Sequence, residues 1–123
     1  MKQLLFVFVG GGFGSVLRYL LSKCLNTSDT GFPYGTFAVN ILGSLFIGII
    51  LGIAAKNQTL SQNSILLLAT GFCGGFTTFS TFAYENHSFL KTGDFTSFAI
   101  YTIASFGVGF LAVFAGLYLA KVI

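Results

Sequence analysis

The chain has 123 residues, 54% of them hydrophobic and only 7% charged, with a formal net charge of +3. A soluble domain carries about 25% Asp, Glu, Lys and Arg to cover its surface, so this composition excludes a water-solvated globule and points to spans faced by lipid. A bilayer crossing takes about 20 apolar residues, which leaves room for four crossings and no soluble domain, and the dispersed Lys and Arg form no cluster that would serve a nucleic acid.

The first apolar run extends from Leu4 to about Leu21, behind Lys2. A basic residue before an apolar stretch also describes a signal peptide. This run is long, however, holds Gly10, Gly11, Gly12, Gly14 and Arg18, and meets no small-residue cleavage site, so it reads as a retained helix. The stretch Asn26–Gly31 reads as a loop by its turn chemistry, and Pro33 marks the approach to the second run, Tyr34 to Ala55. A polar break at 56–59 and 61–63 precedes the third run, about Ser64 to Tyr84. Glu85 to Asp94 reads as the last loop, with His87 a plain loop residue, and Phe95 to Val122 as the fourth helix.

The expected fold is therefore an all-α integral membrane protein with a single four-helix domain. Asn-x-Ser/Thr sequons at Asn26, Asn57 and Asn86 sit in consecutive expected loops, which face opposite sides of a membrane, so they read as chance matches. Cys24 and Cys73 form no CxxC pair and read as buried small apolar residues. Lys2, Lys56 and Lys121 fall on one side of the membrane; Lys23, Lys91 and Arg18 fall on the other. Orientation follows the Lys/Arg excess in cytoplasmic loops, and a balanced count predicts insertion both ways up. An antiparallel pair of identical subunits follows from that.

Residues four apart share a helix face. Gly10, Gly14 and Arg18 do so on the first helix, Thr36, Asn40, Ser44, Gly48 and Gly52 on the second, and Tyr101, Ser105 and Gly109 on the fourth. Small residues let membrane helices approach closely, and the glycines and Ser44 fit that role. Asn40 has two readings. A primary amide inside a span marks either a pathway or a helix contact. Arg18, nearer an end, reads as a snorkelling or carbonyl-capping side chain.

In the third run, adjacent glycines and a Thr-Thr-x-Ser-Thr sequence are poor helix formers, and irregular backbone at membrane depth survives only where protein or water covers it. A break exposes amides that attract anions and carbonyls that attract cations. Phe79 and Phe82 project from one face, and a phenyl ring is electropositive at its edge. They read either as ligands for a small anion or as lipid-facing apolar residues.

The stretch Gly71-Phe-Cys-Gly-Gly-Phe-Thr-Thr-Phe-Ser-Thr-Phe82, with Gly-x-x-x-Arg in the first helix and Val-Asn-x-x-Gly-Ser at Val39 to Ser44, resembles the Fluc (CrcB) fluoride channels of microbes over the whole chain. The resemblance implies an antiparallel, dual-topology homodimer in the cell (inner) membrane, with the third helix broken mid-membrane. It would export cytoplasmic fluoride passively and protect the cell from its toxicity. Carried over residue by residue, the pathway falls on Asn40, Phe79 and Phe82, with a track of hydroxyls at Ser80, Thr81, Tyr101 and Ser105, and Gly109 where a further hydroxyl would have continued it. Arg18 corresponds to a vestibule arginine. The main-chain carbonyls of Gly74 and Thr77 correspond to a structural Na⁺ site at the dimer centre.

Two other classes are weighed against this. A small dual-topology proton-coupled exporter needs an acid inside the membrane, whereas Asp29, Glu85 and Asp94 all read as lying in or beside loops. A non-transporting assembly subunit explains the small-residue faces but not Asn40 or the third-helix motif. One His and three acids assemble no catalytic pair or metal cluster, so an enzyme is not expected.

Overall fold

Four segments are long and apolar enough to cross a bilayer: Lys2–Leu25, Tyr34–Lys56, Gln62–Thr92 and Phe95–Val122. The computed structural model describes residues 1–26, 31–57 and 59–123. Most of the loop expected over Asn26–Gly31, including Asp29, and Gln58 of the polar break lie outside the described residues. Among the described residues the regular structure is all helical.

Helix α1 (Lys2–Leu25) and helix α2 (Tyr34–Asn57) form the first two spans. The third region comprises α3 (Gln62–Ile65), a π-helical segment (Leu66–Cys73), α4 (Gly74–Phe76) and α5 (Phe79–Thr92); α6 (Phe95–Val122) completes the chain. Ser61 starts α3 by accepting the Ser64 amide on its hydroxyl, at 3.1 Å. Thr77 (φ −88°, ψ 159°) and Thr78 (φ −153°, ψ 117°) are extended, so the helical ladder ends with the Thr77 amide on the Cys73 carbonyl, at 3.0 Å, and helix restarts at Phe79. The Thr78 hydroxyl caps the restart by accepting the Thr81 amide at 3.2 Å, which is the N-cap role that Thr fills well.

The stretch Glu85–Asp94 is not a loop. Helix α5 runs on to Thr92, and the turn is Gly93 in the left-handed region (φ 80°) followed by Asp94, which accepts the Ser97 amide and opens α6. Glycine supplies the left-handed cap at no steric cost and Asp is a strong N-cap, so two residues make the whole connection. His87 is accordingly an exposed helical residue. Cys24 also differs from expectation: it is exposed at the end of α1, which continues one turn beyond Leu21, whereas Cys73 is buried.

Packing follows the glycines. Helix α2 lies along α6, and α1 lies along the π-helical segment and α4. A Cβ on Gly48 or Gly116 would strike the backbone of the facing helix, and the same holds for Gly10 and Gly14 against the third region. Bulky apolar side chains point outward instead. Phe8 is 77% exposed and Phe114 65%, while the largest fully buried side chains are Tyr101, Phe76, Val39, Thr36 and Cys73. So much large apolar surface facing outward departs from the soluble pattern and suits a lipid solvent.

Candidate functional site

The break in the third region faces α2, and Asn40 bridges the two. Its Oδ1 accepts the Thr78 N–H at 2.7 Å, and its Nδ2 donates to the Thr78 carbonyl at 3.2 Å. An amide N–H can only donate, so this pair fixes which way the Asn40 amide points. One of its two amide hydrogens remains. Ser44, one turn on, donates to the Asn40 carbonyl at 2.7 Å.

A recess of about 300 Å³ opens at this point, lined among others by Asn40, Ser44, Gly74, Thr77, Phe79, Phe82 and Ser105. Phe82 is buried, and its ring lies 5.0 Å from that of Tyr101, 5.7 Å from Phe79 and 5.9 Å from Phe106, the last in an edge arrangement. Phe79 is 71% exposed in the single chain. The Ser105 hydroxyl is buried and has no hydrogen-bond partner among the described residues. Leaving such a group unpaired costs about 1–3 kcal/mol, so a hydroxyl held this way beside a recess is available to a ligand.

Of the residues expected at the site, the recess thus gathers Asn40, Phe79, Phe82, Ser105, Gly74 and Thr77. Four others lie around it. Ser80 is exposed, with its hydroxyl 3.3 Å from that of Thr78, and Thr81 accepts from the Thr78 hydroxyl at 3.1 Å. Tyr101 is fully buried and donates to Glu85 Oε1 at 2.8 Å. Arg18 donates from Nε to the Gly75 carbonyl at 2.8 Å. Gly109 faces α2, where a Cβ would stand 4.0 Å from the Ser44 hydroxyl. The polar group at that level therefore comes from Ser44.

Sequence reasoning missed a second polar cluster. Glu85 accepts from Thr36 at 2.8 Å on Oε2 and from Tyr101 on Oε1, and Thr36 in turn accepts from Asn26 Nδ2 at 3.3 Å. Asn26 Oδ1 takes the Gly35 amide, so both ends of its side chain are engaged. The chain Asn26–Thr36–Glu85–Tyr101 ties the end of α1 to α2, α5 and α6. Glu85 therefore lies within the third span, against the loop placement expected for it. The usable signal was the spacing of Phe82, Glu85 and Phe89, one helical face closed by Gly93-Asp94. Among the described residues no group of His, Cys, Asp and Glu is placed to hold a metal.

A family model described as CrcB-like protein, Camphor Resistance (CrcB), matches residues 5–117. The chain belongs to this family. A relative from Gloeothece citriformis is 50% identical over 98% of both chains. One from Chlorobaculum tepidum is 47% identical over 98% of this chain and 96% of its own. A third, from Phocaeicola vulgatus, is 46% identical over 98% of this chain and all of its own. Each is described as a fluoride-specific ion channel. These CrcB relatives are channels rather than enzymes, and the likeness extends over both halves of the recess, since the match spans α1 to α6.

Proposed function

We propose that the chain forms a fluoride-selective passive channel in the microbial inner membrane, exporting cytoplasmic fluoride as an antiparallel homodimer of dual topology. The observation that carries this reading is the recess, where an amide hydrogen of Asn40, the Ser105 hydroxyl, unpartnered among the described residues, and two phenyl rings converge. Fluoride is small and strongly hydrated, and a dry passage must replace its water with fixed donors. Hydroxyls, an amide and ring edges are such donors. The description of the relatives supports the choice of ion.

The interruption at Thr77–Thr78 reads as a break at mid-membrane. Gly74 and Thr77 line the recess, and no side chain or loop amide among the described residues donates to their carbonyls. Unwound backbone carbonyls suit Na⁺, so these oxygens fit a structural Na⁺ shared with a second copy. When bound, that ion would supply positive charge and tie the two breaks together.

Export needs no coupling. Neutral hydrogen fluoride crosses lipid and ionises in the more alkaline cytoplasm, and the anion then leaves down a negative-inside potential worth about 2.3 kcal/mol per charge at 100 mV. A proton-coupled exporter is less well supported even with Glu85 in a helix, because both carboxylate oxygens are held by hydroxyl donors.

Fluoride efflux from liposomes containing the purified protein, with chloride as control, tests the function. Rapid fluoride release with chloride retained is expected, and retention of both would overturn it. Reporter fusions at the carboxyl end should give signal on both sides of the membrane. A single orientation would leave no antiparallel pair.

A further inference from the structure

In an unbroken helix the carbonyl of each residue accepts the amide four residues on. The extended Thr77 and Thr78 strip that partner from the carbonyls around them, and the chain deals with each differently. The Thr78 amide, which would have served Gly74, is taken by Asn40. The Gly75 carbonyl, which would have accepted from Phe79, receives Arg18 Nε at 2.8 Å and the Ser15 hydroxyl at a marginal 3.5 Å. The Gly74, Phe76 and Thr77 carbonyls receive neither a side chain nor a loop amide among the described residues.

Arg18 reaches Gly75 because the two backbones nearly touch. A Cβ on Gly75 would meet the Gly11 Cα at 3.0 Å, and one on Gly14 would meet the Phe76 amide at 2.9 Å. The half-buried Arg18 side chain therefore lies along the break. A charge-assisted bond of this kind is about twice as strong as a neutral one.

We propose that Arg18 is a positioning residue whose Nε–H holds the Gly75 carbonyl toward α1, withdrawing it from the carbonyls of the break that are left to a cation, Gly74 and Thr77 among them. This rests on the Na⁺ reading above. It differs from a vestibule role, which uses the guanidinium charge; positioning uses one N–H at one place on the side chain.

Three substitutions separate those roles. Arg18→Gln puts an N–H donor at the same bond position as Nε and removes the charge. Arg18→Lys keeps the charge and carries its donor one bond further. Arg18→Met removes both. The readouts are the Na⁺ concentration for half-maximal fluoride efflux and dimer stability, and hydrogen–deuterium exchange of the Thr77–Phe79 amides.

Positioning predicts that Arg18→Met raises the Na⁺ midpoint about tenfold or more, the equilibrium effect of one lost charge-assisted bond. Arg18→Gln stays closer to the unmodified protein than Arg18→Lys does, even if lost charge lowers flux in the Gln variant. Amide exchange at the break follows the same order. Should Arg18→Met fail to assemble, the order of Gln and Lys decides alone. A midpoint restored by Lys and not by Gln, or unchanged in all three, overturns the proposal. If efflux by the unmodified protein ignores Na⁺, the cation reading falls by itself. Equal amide exchange in the Gln and Lys variants then overturns the positioning role as well.

Discussion

The side chain of Asn40 closes both backbone groups of Thr78, accepting its N–H and donating to its carbonyl. One amide thus holds the interruption in the third span and keeps a single N–H for a ligand. Asn40→Asp retains the acceptor, loses the donor and places a negative charge where an anion must pass, in a low dielectric. Fluoride efflux should fall to background while the helical fold persists. Asn40→Ala strands the Thr78 N–H, at about 1–3 kcal/mol for a buried group left unpaired, and should lower the melting temperature as well, while the Thr78 carbonyl keeps the first bond of α5. Near-normal flux through the Asp variant would leave Asn40 a backbone clamp and nothing more.

The adjacent glycines of the break differ in what they tolerate. Gly74 has helical angles (φ −62°, ψ −37°), and the nearest atom to an added Cβ is the Ala69 carbonyl oxygen, 4.0 Å away. Glycine is therefore not required there for backbone freedom. Gly75 has no such room, since a Cβ would drive into the Gly11 backbone and the Ser15 hydroxyl. Gly75→Ala should separate α1 from the third region and cost roughly 1–3 kcal/mol, as overpacking does, whereas the Gly74→Ala monomer should melt like the unmodified chain. Because Gly74 is exposed in the single chain, any loss in that variant should appear in assembly. Equal destabilisation of the two monomers would contradict this packing.

Four spans were legible because composition alone decides them: long apolar runs in a chain with so few charges have no other solvent. The last connection was misread because Glu85, Asn86, His87 and Ser88 look like loop residues one by one, while the stop signal, Gly93-Asp94, is only two residues long. The π-helical segment Leu66–Cys73 gave no signal either, because its i→i+5 bonding leaves no residue signature. At the site, Asn40 and the phenylalanine pair stood out as polar or paired residues in apolar surroundings. The bonds of Glu85 to Thr36 and Tyr101 join three helices, and pairing at that range cannot be seen along one sequence.

Those two hydroxyls are the donors to the Glu85 carboxylate in the structure. Tyr101→Phe and Thr36→Val should each lower stability by about 1–3 kcal/mol, because each leaves a half-buried carboxylate with one donor fewer. The double variant should lose more than the sum, since groups sharing a partner are coupled. Thermal melts of the four proteins in detergent give the cycle. Additivity within about 0.5 kcal/mol would mean the carboxylate finds other donors, and the cluster would not be the clasp its geometry indicates.

Phe79 and Phe82 test whether ring edges carry the ion. Phe82 is buried against Tyr101 and Phe106, whereas Phe79 is largely exposed in the single chain. Substitution by Ile keeps each side chain apolar and removes the electropositive edge. On packing grounds Phe82→Ile should cost more stability than Phe79→Ile, because only the first leaves a gap among other rings. If edges replace fluoride's water, both variants should nonetheless lose at least about tenfold in fluoride efflux, equivalent to roughly 1.4 kcal/mol of barrier. The stability order and the flux order would then disagree, and that disagreement is the signature of a pathway role for Phe79. Phe→Met at each position is a useful companion, since a polarisable, flexible thioether should keep part of the flux. Assembly is checked first by size-exclusion chromatography, so that lost flux is not lost folding. Full efflux through correctly assembled Phe79→Ile and Phe82→Ile proteins would remove the rings from the pathway and leave Asn40 and the hydroxyls to carry fluoride.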